Sequence, residues 1–432
     1  MIQQVRPGKT LSGTIIAPPD KSISHRSALF ASISDEISVI DNFSEAADPQ
    51  STLSCLRLLG VEIEKEANRI KIKGVGRDGL QSPEKPLDCG NSGTTMRLLS
   101  GIVAGAGLEC TLMGDASLSA RTMKRIIDPL RQMGCTIEGK DGGDFAPLKT
   151  GPHSGVRAIR YPLPIPSAQL KSSVLLAGLF SEKPVEVVES VLSRDHTERL
   201  LELETESYGS GKIISSSRSD KIPAQNYLVP GDFSAAAFWM VGGTIHPDAN
   251  VTIENTGMNP TRSALYQILK EMGGNFERTN DRMNQKEPAT DLTVRSSSLK
   301  SIDLDPALVP NCIDELPILM VAMCFAEGTS VISGAEELRH KETDRLAAMH
   351  EILTKAGAKT ELKSDGIVIH GRPDFQPLPE RFPSHHDHRM AMAAAILALR
   401  SKGTSEVMDA ECTSISYPNF WRDLSRLQES GN

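Results

Sequence analysis

The run Pro18-Pro19-Asp20-Lys21-Ser22-Ile23-Ser24-His25-Arg26-Ser27 gathers an ammonium, a hydroxyl and a guanidinium around one predicted helix start. The prolines and Asp20 stop whatever precedes, and Asp and Ser readily cap a helix. Lys21 is expected just before the helix, with Ser22 and Arg26 four apart on one of its faces. First-turn N–H groups, a hydroxyl and two cations together suit a phosphate or a carboxylate. The same residues also read as a plain capped surface helix.

Related junctions recur downstream. Asp88-Cys89-Gly90-Asn91-Ser92-Gly93-Thr94-Thr95-Met96-Arg97 puts small residues at a loop-to-helix junction, where backbone N–H groups can approach an anion closely. Pro162-Leu163-Pro164-Ile165-Pro166-Ser167-Ala168-Gln169-Leu170-Lys171 repeats the order of prolines, capping serine and helix. Gln169 adds a neutral donor and acceptor suited to hydroxyl groups. In Pro310-Asn311-Cys312-Ile313-Asp314-Glu315-Leu316-Pro317, Asp314 is expected to be an N-cap. An ionised carboxylate there can act as a general base.

Glu337-Leu338-Arg339-His340-Lys341-Glu342-Thr343-Asp344-Arg345-Leu346 sets Lys341 and Arg345 four apart on a predicted helix. Like charges at that spacing repel, and an anion between them would reverse the sign. Glu342 beside them could exchange protons. Such a charge run also fits a solvated face. Ser384-His385-His386-Asp387-His388-Arg389-Met390-Ala391-Met392 offers three histidines and an aspartate, which invites a metal. Adjacent His385 and His386 point in different directions, however, and no matched partner set accompanies them. Arg389, heading an apolar Met/Ala helix, is the functional candidate there, and no metal is expected.

Composition sets the bounds. The 432 residues carry a formal charge of −8, with 24% charged and 39% hydrophobic residues. That length suits roughly two to three domains, and the acidic balance argues against a nucleic-acid or membrane-surface binder. An anionic ligand must therefore be drawn by local Lys and Arg clusters. Cys55, Cys89, Cys110, Cys135, Cys312, Cys324 and Cys412 form no CxxC pair and are odd in number, which points to reduced thiols. The N-terminus lacks an apolar signal core, and the apolar run from Leu316 to Ala326 is too short to span a bilayer. A cytoplasmic location is the expectation.

Repetition organises the chain. Helices ending in Leu-x-x-x-Gly recur at Leu56 to Gly60, Leu130 to Gly134, Leu269 to Gly273 and Leu353 to Gly357, each glycine standing where a C-cap turns left-handed. Helix openings recur near Ser22, Ser92, Ser167, Ser234, Asp314 and His388, at steps of roughly 65 to 80 residues that suggest repeated small βα units. The fold expected is α/β, with the six copies dividing three and three. One domain would comprise residues 1–18 plus 234–432 and the other residues 19–233, joined by two crossings acting as a hinge.

Taken together these segments resemble the EPSP synthases, the 3-phosphoshikimate 1-carboxyvinyltransferases. The likeness lies in Asp20-Lys21-Ser22 with Arg26, Asn91-Ser92-Gly93-Thr94, Ser167-Ala168-Gln169, Asp314-Glu315, Leu338-x-x-Lys341-Glu342-x-Asp344-Arg345 and Asp387-His388-Arg389-Met390-Ala391-Met392. The matches keep the family's order over nearly the whole chain. The resemblance implies two domains of three βαβαββ units each, an inside-out α/β barrel, closing around the substrates. It implies transfer of the enolpyruvyl group of phosphoenolpyruvate to the 5-hydroxyl of shikimate 3-phosphate, in the shikimate pathway to chorismate, with no metal or organic cofactor. Lys21, Ser22, Arg26, Ser167, Ala168, Gln169, Arg194, Asp314 and Lys341 would then bind shikimate 3-phosphate. Lys21, Gly93, Arg121, Gln169, Lys341, Arg345 and Arg389 would bind phosphoenolpyruvate. Asp314, Glu342 and Lys21 would be catalytic, Asp314 taking the 5-hydroxyl proton. Small anionic substrates and a monomer, with no nucleic-acid or membrane partner, complete this picture.

Ile415 stands where one branch of the family has a lysine, and Arg194-Asp195-His196-Thr197-Glu198 is similar to the other branch, often called class II. The related UDP-N-acetylglucosamine 1-carboxyvinyltransferases need Lys-Asn in place of Lys21-Ser22 and usually a cysteine in a Gly-rich loop, which Cys110 and Cys135 lack. An RNA 3'-terminal phosphate cyclase or a non-catalytic polyanion-binding scaffold would be a reading of another class.

Overall fold

The computed structural model describes residues 1–429. It divides into two compact units. One comprises Met1–Pro18, Pro230–Met283 and Pro288–Asn432, and the other Pro19–Val229 with Asn284–Glu287. In addition to the crossings near Pro18 and Val229, the hairpin of strands Asn275–Asn284 and Glu287–Arg295 lends its tip to the second unit.

Each unit repeats one device three times. In the clearest copy, Leu87–Asp88 pairs in parallel with Cys110–Met113, and Phe145–Gly151 and Thr136–Lys140 add antiparallel strands beyond it. A helix follows each of the first two strands, so the order is βαβαββ. The remaining copies give small mixed sheets of the same kind. Three copies borrow a strand from a distant part of their unit. Asn226–Leu228 pairs in parallel with Ile37–Asp41, and Gln3–Val5 pairs antiparallel with Ser405–Val407. The N-terminal strand Leu11–Ile16 pairs in parallel with Ala249–Gly257, which ties it to the C-terminal part of the chain.

The helices that matter for function, in chain order, are α1 (Lys21–Ser32), α2 (Ala47–Leu58), α3 (Gly93–Gly105), α4 (Ala168–Gly178), α5 (His196–Leu201), α6 (Phe233–Ile245), α7 (Leu316–Cys324), α8 (Arg345–Lys355) and α9 (His388–Ala398). Helix α6 is buried along its whole length, as are α7 and α9. A helix apolar all round belongs in a core. Each unit has its own apolar cluster, one around Trp239, Met320 and Ile396 and the other around Leu99, Leu175 and Phe30. Helices α3 and α4 lie backbone to backbone, since a side chain at Gly101 would meet the Ser173 carbonyl oxygen at 2.3 Å. The expected helix-ending glycines have the expected backbone, with φ of +91° at Gly60 and +85° at Gly357, where a Cβ would be strained. Among the described residues no single helix is long and apolar enough to cross a membrane.

Candidate active site

The three openings of the second unit are wired together. Asp20 caps α1 by accepting from the Ile23 N–H at 2.8 Å. This corrects the sequence expectation, because Lys21 is the first helical residue and Ser22 lies within the first turn. A carboxylate is as good a cap as a hydroxyl, so the helix starts as soon as the prolines allow. Lys21 Nζ reaches Asp48 Oδ2 at 3.1 Å. Ser92 caps α3 and Ser167 caps α4, each accepting an N–H three residues on. Behind the caps runs a buried chain of hydrogen bonds. His25 Nδ1 meets Thr52 Oγ1 at 2.7 Å, Thr52 meets Thr95 Oγ1 at 2.8 Å, and Thr95 donates to Ser92 Oγ at 2.8 Å. Burial pulls the His25 pKa down to about 3, against the nearby Asp48, so this ring is neutral at pH 7.

Arg26 is almost wholly buried and held at three points. Its Nε donates to Thr197 Oγ1 at 2.8 Å, Nη2 to Ser172 Oγ at 2.9 Å and Nη1 to the Ser22 carbonyl at 3.1 Å. Burial lowers its pKa to about 10, opposed by Glu198 and Asp20. Arg97 Nη1 donates to Gln169 Oε1 at 2.7 Å, and Gln169 Nε2 donates to Thr94 Oγ1 at 3.0 Å. Gly93 sits directly against that guanidinium, for a Cβ there would lie 2.8 Å from Arg97 Nη1. Arg121 Nη2 donates to Asn91 Oδ1 at 3.0 Å. Arg194 lies in the loop before α5, half-buried.

The three openings of the first unit also converge. Asp232 caps α6, accepting from the Ser234 and Ala235 N–H groups. Glu315, fully buried, accepts from the Ser234 hydroxyl and from Arg262 Nη1 at 3.2 Å. Asp387 caps α9 through the Arg389 N–H at 2.9 Å, so the helix starts at His388. Asp387 also takes Arg345 Nε at 2.8 Å. Arg345 reaches Glu342 Oε2 at 2.6 Å and Asp314 Oδ1 at 3.3 Å as well. Burial opposes its charge, but Asp387, Glu342 and Asp314 outweigh that and raise its pKa. Arg389 donates to the Asp314 carbonyl at 3.1 Å, with its Nη2 3.8 Å from Asp314 Oδ2.

Two expectations fail here. Asp314 is not an N-cap: Val309–Cys312 is a separate short turn, and α7 begins after Glu315 with no side-chain cap. Pro317 in the first turn needs no N–H partner, so the Asp314 carboxylate is left to face Arg345 and Arg389. Lys341 is not helical either. It follows the 3-10 turn Glu336–His340 in extended backbone, and Asp344 caps α8 after it. Lys341 and Arg345 are thus not on one helix face. Lys341 Nζ lies 3.8 Å from Glu337 Oε1, and burial lowers its pKa, against Asp314 and Glu337.

The histidines separate as their sequence positions suggested. His385 Nε2 pairs with Glu351 at 3.0 Å, His386 is exposed and 4.0 Å from Asp409, and His388 is buried. Among the described residues no group of His, Cys, Asp and Glu is arranged to hold a metal ion. The unit Pro19–Val229 thus brings together Lys21, Ser22, Arg26, Gly93, Ser167, Ala168 and Gln169, with Arg121 and Arg194 at the flanks. The other unit brings together Asp314, Lys341, Glu342, Arg345 and Arg389. Sequence reasoning overlooked Arg97, Lys171, Arg262 and Asp387 as organisers. The signal for Lys171 was a lysine within the apolar helix that follows Leu170.

Comparison with known proteins bears on both groups of residues. The family model of EPSP synthase (3-phosphoshikimate 1-carboxyvinyltransferase) matches residues 5–424. The chain is 46% identical over 434 residues to a 3-phosphoshikimate 1-carboxyvinyltransferase of Salinibacter ruber, covering 100% of both proteins. It is 41% identical over 431 residues to one of Bacillus thuringiensis, covering 99% of this chain and 98% of the relative. An EPSP synthase structure from Acinetobacter baumannii matches with a TM-score of 0.88 at 39% identity, over 99% of this chain and 98% of that one. The enolpyruvyl transferase NikO from Streptomyces tendae has the same fold, with a TM-score of 0.77 at 16% identity.

Proposed function

The chain belongs to the EPSP synthase (3-phosphoshikimate 1-carboxyvinyltransferase) family, and from that membership we propose that it transfers the enolpyruvyl group of phosphoenolpyruvate to the 5-hydroxyl of shikimate 3-phosphate. The observation that carries the assignment of residues is the gathering of cations at capped helix N-termini in each unit. Lys21 and Arg26 stand at the α1 opening and Arg97 at the α3 opening, reaching Gln169 at the α4 opening, and Arg345 and Arg389 stand at two more. Both substrates are polyanions, and helix N-termini with Lys and Arg are where such groups are stabilised.

Lys21, Ser22, Arg26, Ser167, Ala168, Gln169, Arg194, Asp314 and Lys341 hold shikimate 3-phosphate in this proposal. Lys21, Gly93, Arg121, Gln169, Lys341, Arg345 and Arg389 hold phosphoenolpyruvate. Asp314 draws the proton from the 5-hydroxyl as its oxygen bonds to C2 of phosphoenolpyruvate, while C3 gains a proton. The tetrahedral adduct then loses a C3 proton and its C2–O bond to phosphate, which restores the double bond and releases inorganic phosphate. Glu342 and Lys21 manage the C3 proton and the leaving group. An anion on Arg345 competes with Glu342 and Asp314, whereas Asp387, buried and fixed as the α9 cap, keeps its bond.

Incubation of the protein with both substrates, without added metal, tests this by phosphate release. Turnover with shikimate 3-phosphate and none with UDP-N-acetylglucosamine is the expected result. Folded protein that releases no phosphate from the first pair overturns the proposal.

A further inference from the structure

Lys171 lies one turn into α4, among Leu170, Val174 and Leu175, with no solvent exposure. A buried ammonium is costly unless every proton finds an acceptor. Lys171 Nζ finds three: Glu198 Oε1 at 2.7 Å, Glu189 Oε2 at 2.9 Å and the Ser193 carbonyl at 3.4 Å. Burial opposes its charge, but Glu198 and Glu189 outweigh that and raise its pKa.

Both carboxyl groups hold something else in place. Glu189 Oε1 accepts the Ser193 N–H at 2.8 Å and the Ser193 hydroxyl, which fixes the backbone immediately before Arg194. Glu198 sits on α5, six residues long and too short to be stable unaided. Its neighbour Thr197 accepts Arg26 Nε at 2.8 Å and meets Ser172 Oγ at 2.7 Å, and Ser172 in turn accepts Arg26 Nη2. Lys171–Glu198 and Ser172–Thr197 therefore zip α4 to α5 at adjacent positions. The zip ends on Arg26, and its Glu189 branch ends beside Arg194.

We propose that Lys171 is a positioning residue for substrate phosphate: through Glu189 and Glu198 it pins the two segments that present Arg194 and anchor Arg26. The inference rests on the assignment of Arg26 and Arg194 to shikimate 3-phosphate. A core role alone would be met equally well by an apolar residue, since hydrophobic replacement of a whole buried ion cluster is often neutral or stabilising. A lysine with all three protons engaged instead specifies where two backbone segments stop.

Steady-state kinetics of the full-length Lys171→Met variant test this. Loosening both phosphate contacts is expected to raise KM for shikimate 3-phosphate on the order of 10- to 100-fold. KM for phosphoenolpyruvate should stay within about twofold and kcat at saturation within about threefold. A merely structural role predicts less folded enzyme with unchanged KM values. An unchanged KM for shikimate 3-phosphate, or an equal rise for both substrates, overturns the inference. Should Lys171→Met fail to fold, Glu189→Gln decides, because it keeps the ammonium and its bond to Glu198 while weakening the hold on Ser193. A selective rise of at least about threefold in KM for shikimate 3-phosphate supports the inference, and none overturns it. Wild-type protein with no turnover would sink the functional assignment, and this inference with it. Wild-type turnover with unaltered variants would sink the inference alone.

Discussion

Replacing Gly93 by alanine puts a methyl group 2.8 Å from Arg97 Nη1. Carbon and nitrogen in contact prefer about 3.5 Å, so the guanidinium must retreat by about 0.7 Å. The obstructing atom is the end of a long side chain, which can move without disturbing α3. Alanine also costs less backbone entropy than glycine in a helix. Stability should therefore change little. The movement, however, stretches the Arg97–Gln169 bond, 2.7 Å at rest, beyond the normal hydrogen-bond range. A hydrogen bond to a charged group is worth about 1.5–3 kcal/mol net. At about 1.4 kcal/mol per factor of ten, its loss raises KM for phosphoenolpyruvate roughly 10- to 100-fold. Steady-state kinetics with a thermal melt on the same sample measure both quantities. A double-mutant cycle makes the cause specific: on an Arg97→Met background the methyl has nothing to displace, and Gly93→Ala should alter KM by less than about twofold. An unchanged KM in the single variant, or the same rise on both backgrounds, refutes the steric chain from Gly93 through Arg97 to Gln169.

Further outcomes follow from the buried groups. Asp314→Asn should keep shikimate 3-phosphate binding, measured calorimetrically, while kcat falls by at least about 100-fold; full turnover removes Asp314 from proton transfer. Arg345→Met leaves Asp387, Glu342 and Asp314 facing one another and should cost about 3–5 kcal/mol in urea unfolding. An unfolding midpoint equal to that of wild type contradicts the pairing. The unfolded chain protonates His25 near its ordinary pKa of 6.5, whereas the folded chain resists until about 3. Wild type should therefore lose stability relative to His25→Gln as pH falls through that window, by about 1.4 kcal/mol per pH unit. Parallel stability curves for the two proteins between pH 6.5 and 4 would contradict a neutral, buried His25.

Much of the site was legible because helix caps are local chemistry. Pro-Pro-Asp, Asn-Ser-Gly and Pro-Ser announce helix starts from neighbouring residues alone, and Asp20, Ser92 and Ser167 cap them. That small βα units repeat was readable from helix-ending glycines for the same reason, whereas their βαβαββ form was implied only by the family resemblance. The failures arose where tertiary partners decide. Asp314 looks like a cap in sequence, but Arg345 and Arg389 claim its carboxylate. Lys341 sits at helical spacing from Arg345, yet Asp344 is the stronger cap and starts the helix after it. Lys171 and Glu189 are 18 residues apart, and nothing local reveals that they meet. The borrowed strands Gln3–Val5 and Asn226–Leu228 likewise depend on partners far along the chain.

The central claim is that the bond broken in phosphoenolpyruvate is C2–O and not O–P. Phosphoenolpyruvate labelled with oxygen-18 in the bridging position tests it directly. Incubated with the protein and shikimate 3-phosphate, it should release inorganic phosphate carrying the label, alongside an enolpyruvyl ether at the 5-hydroxyl. Unlabelled phosphate, or label retained in pyruvate, would mean phosphoryl transfer and would contradict the account.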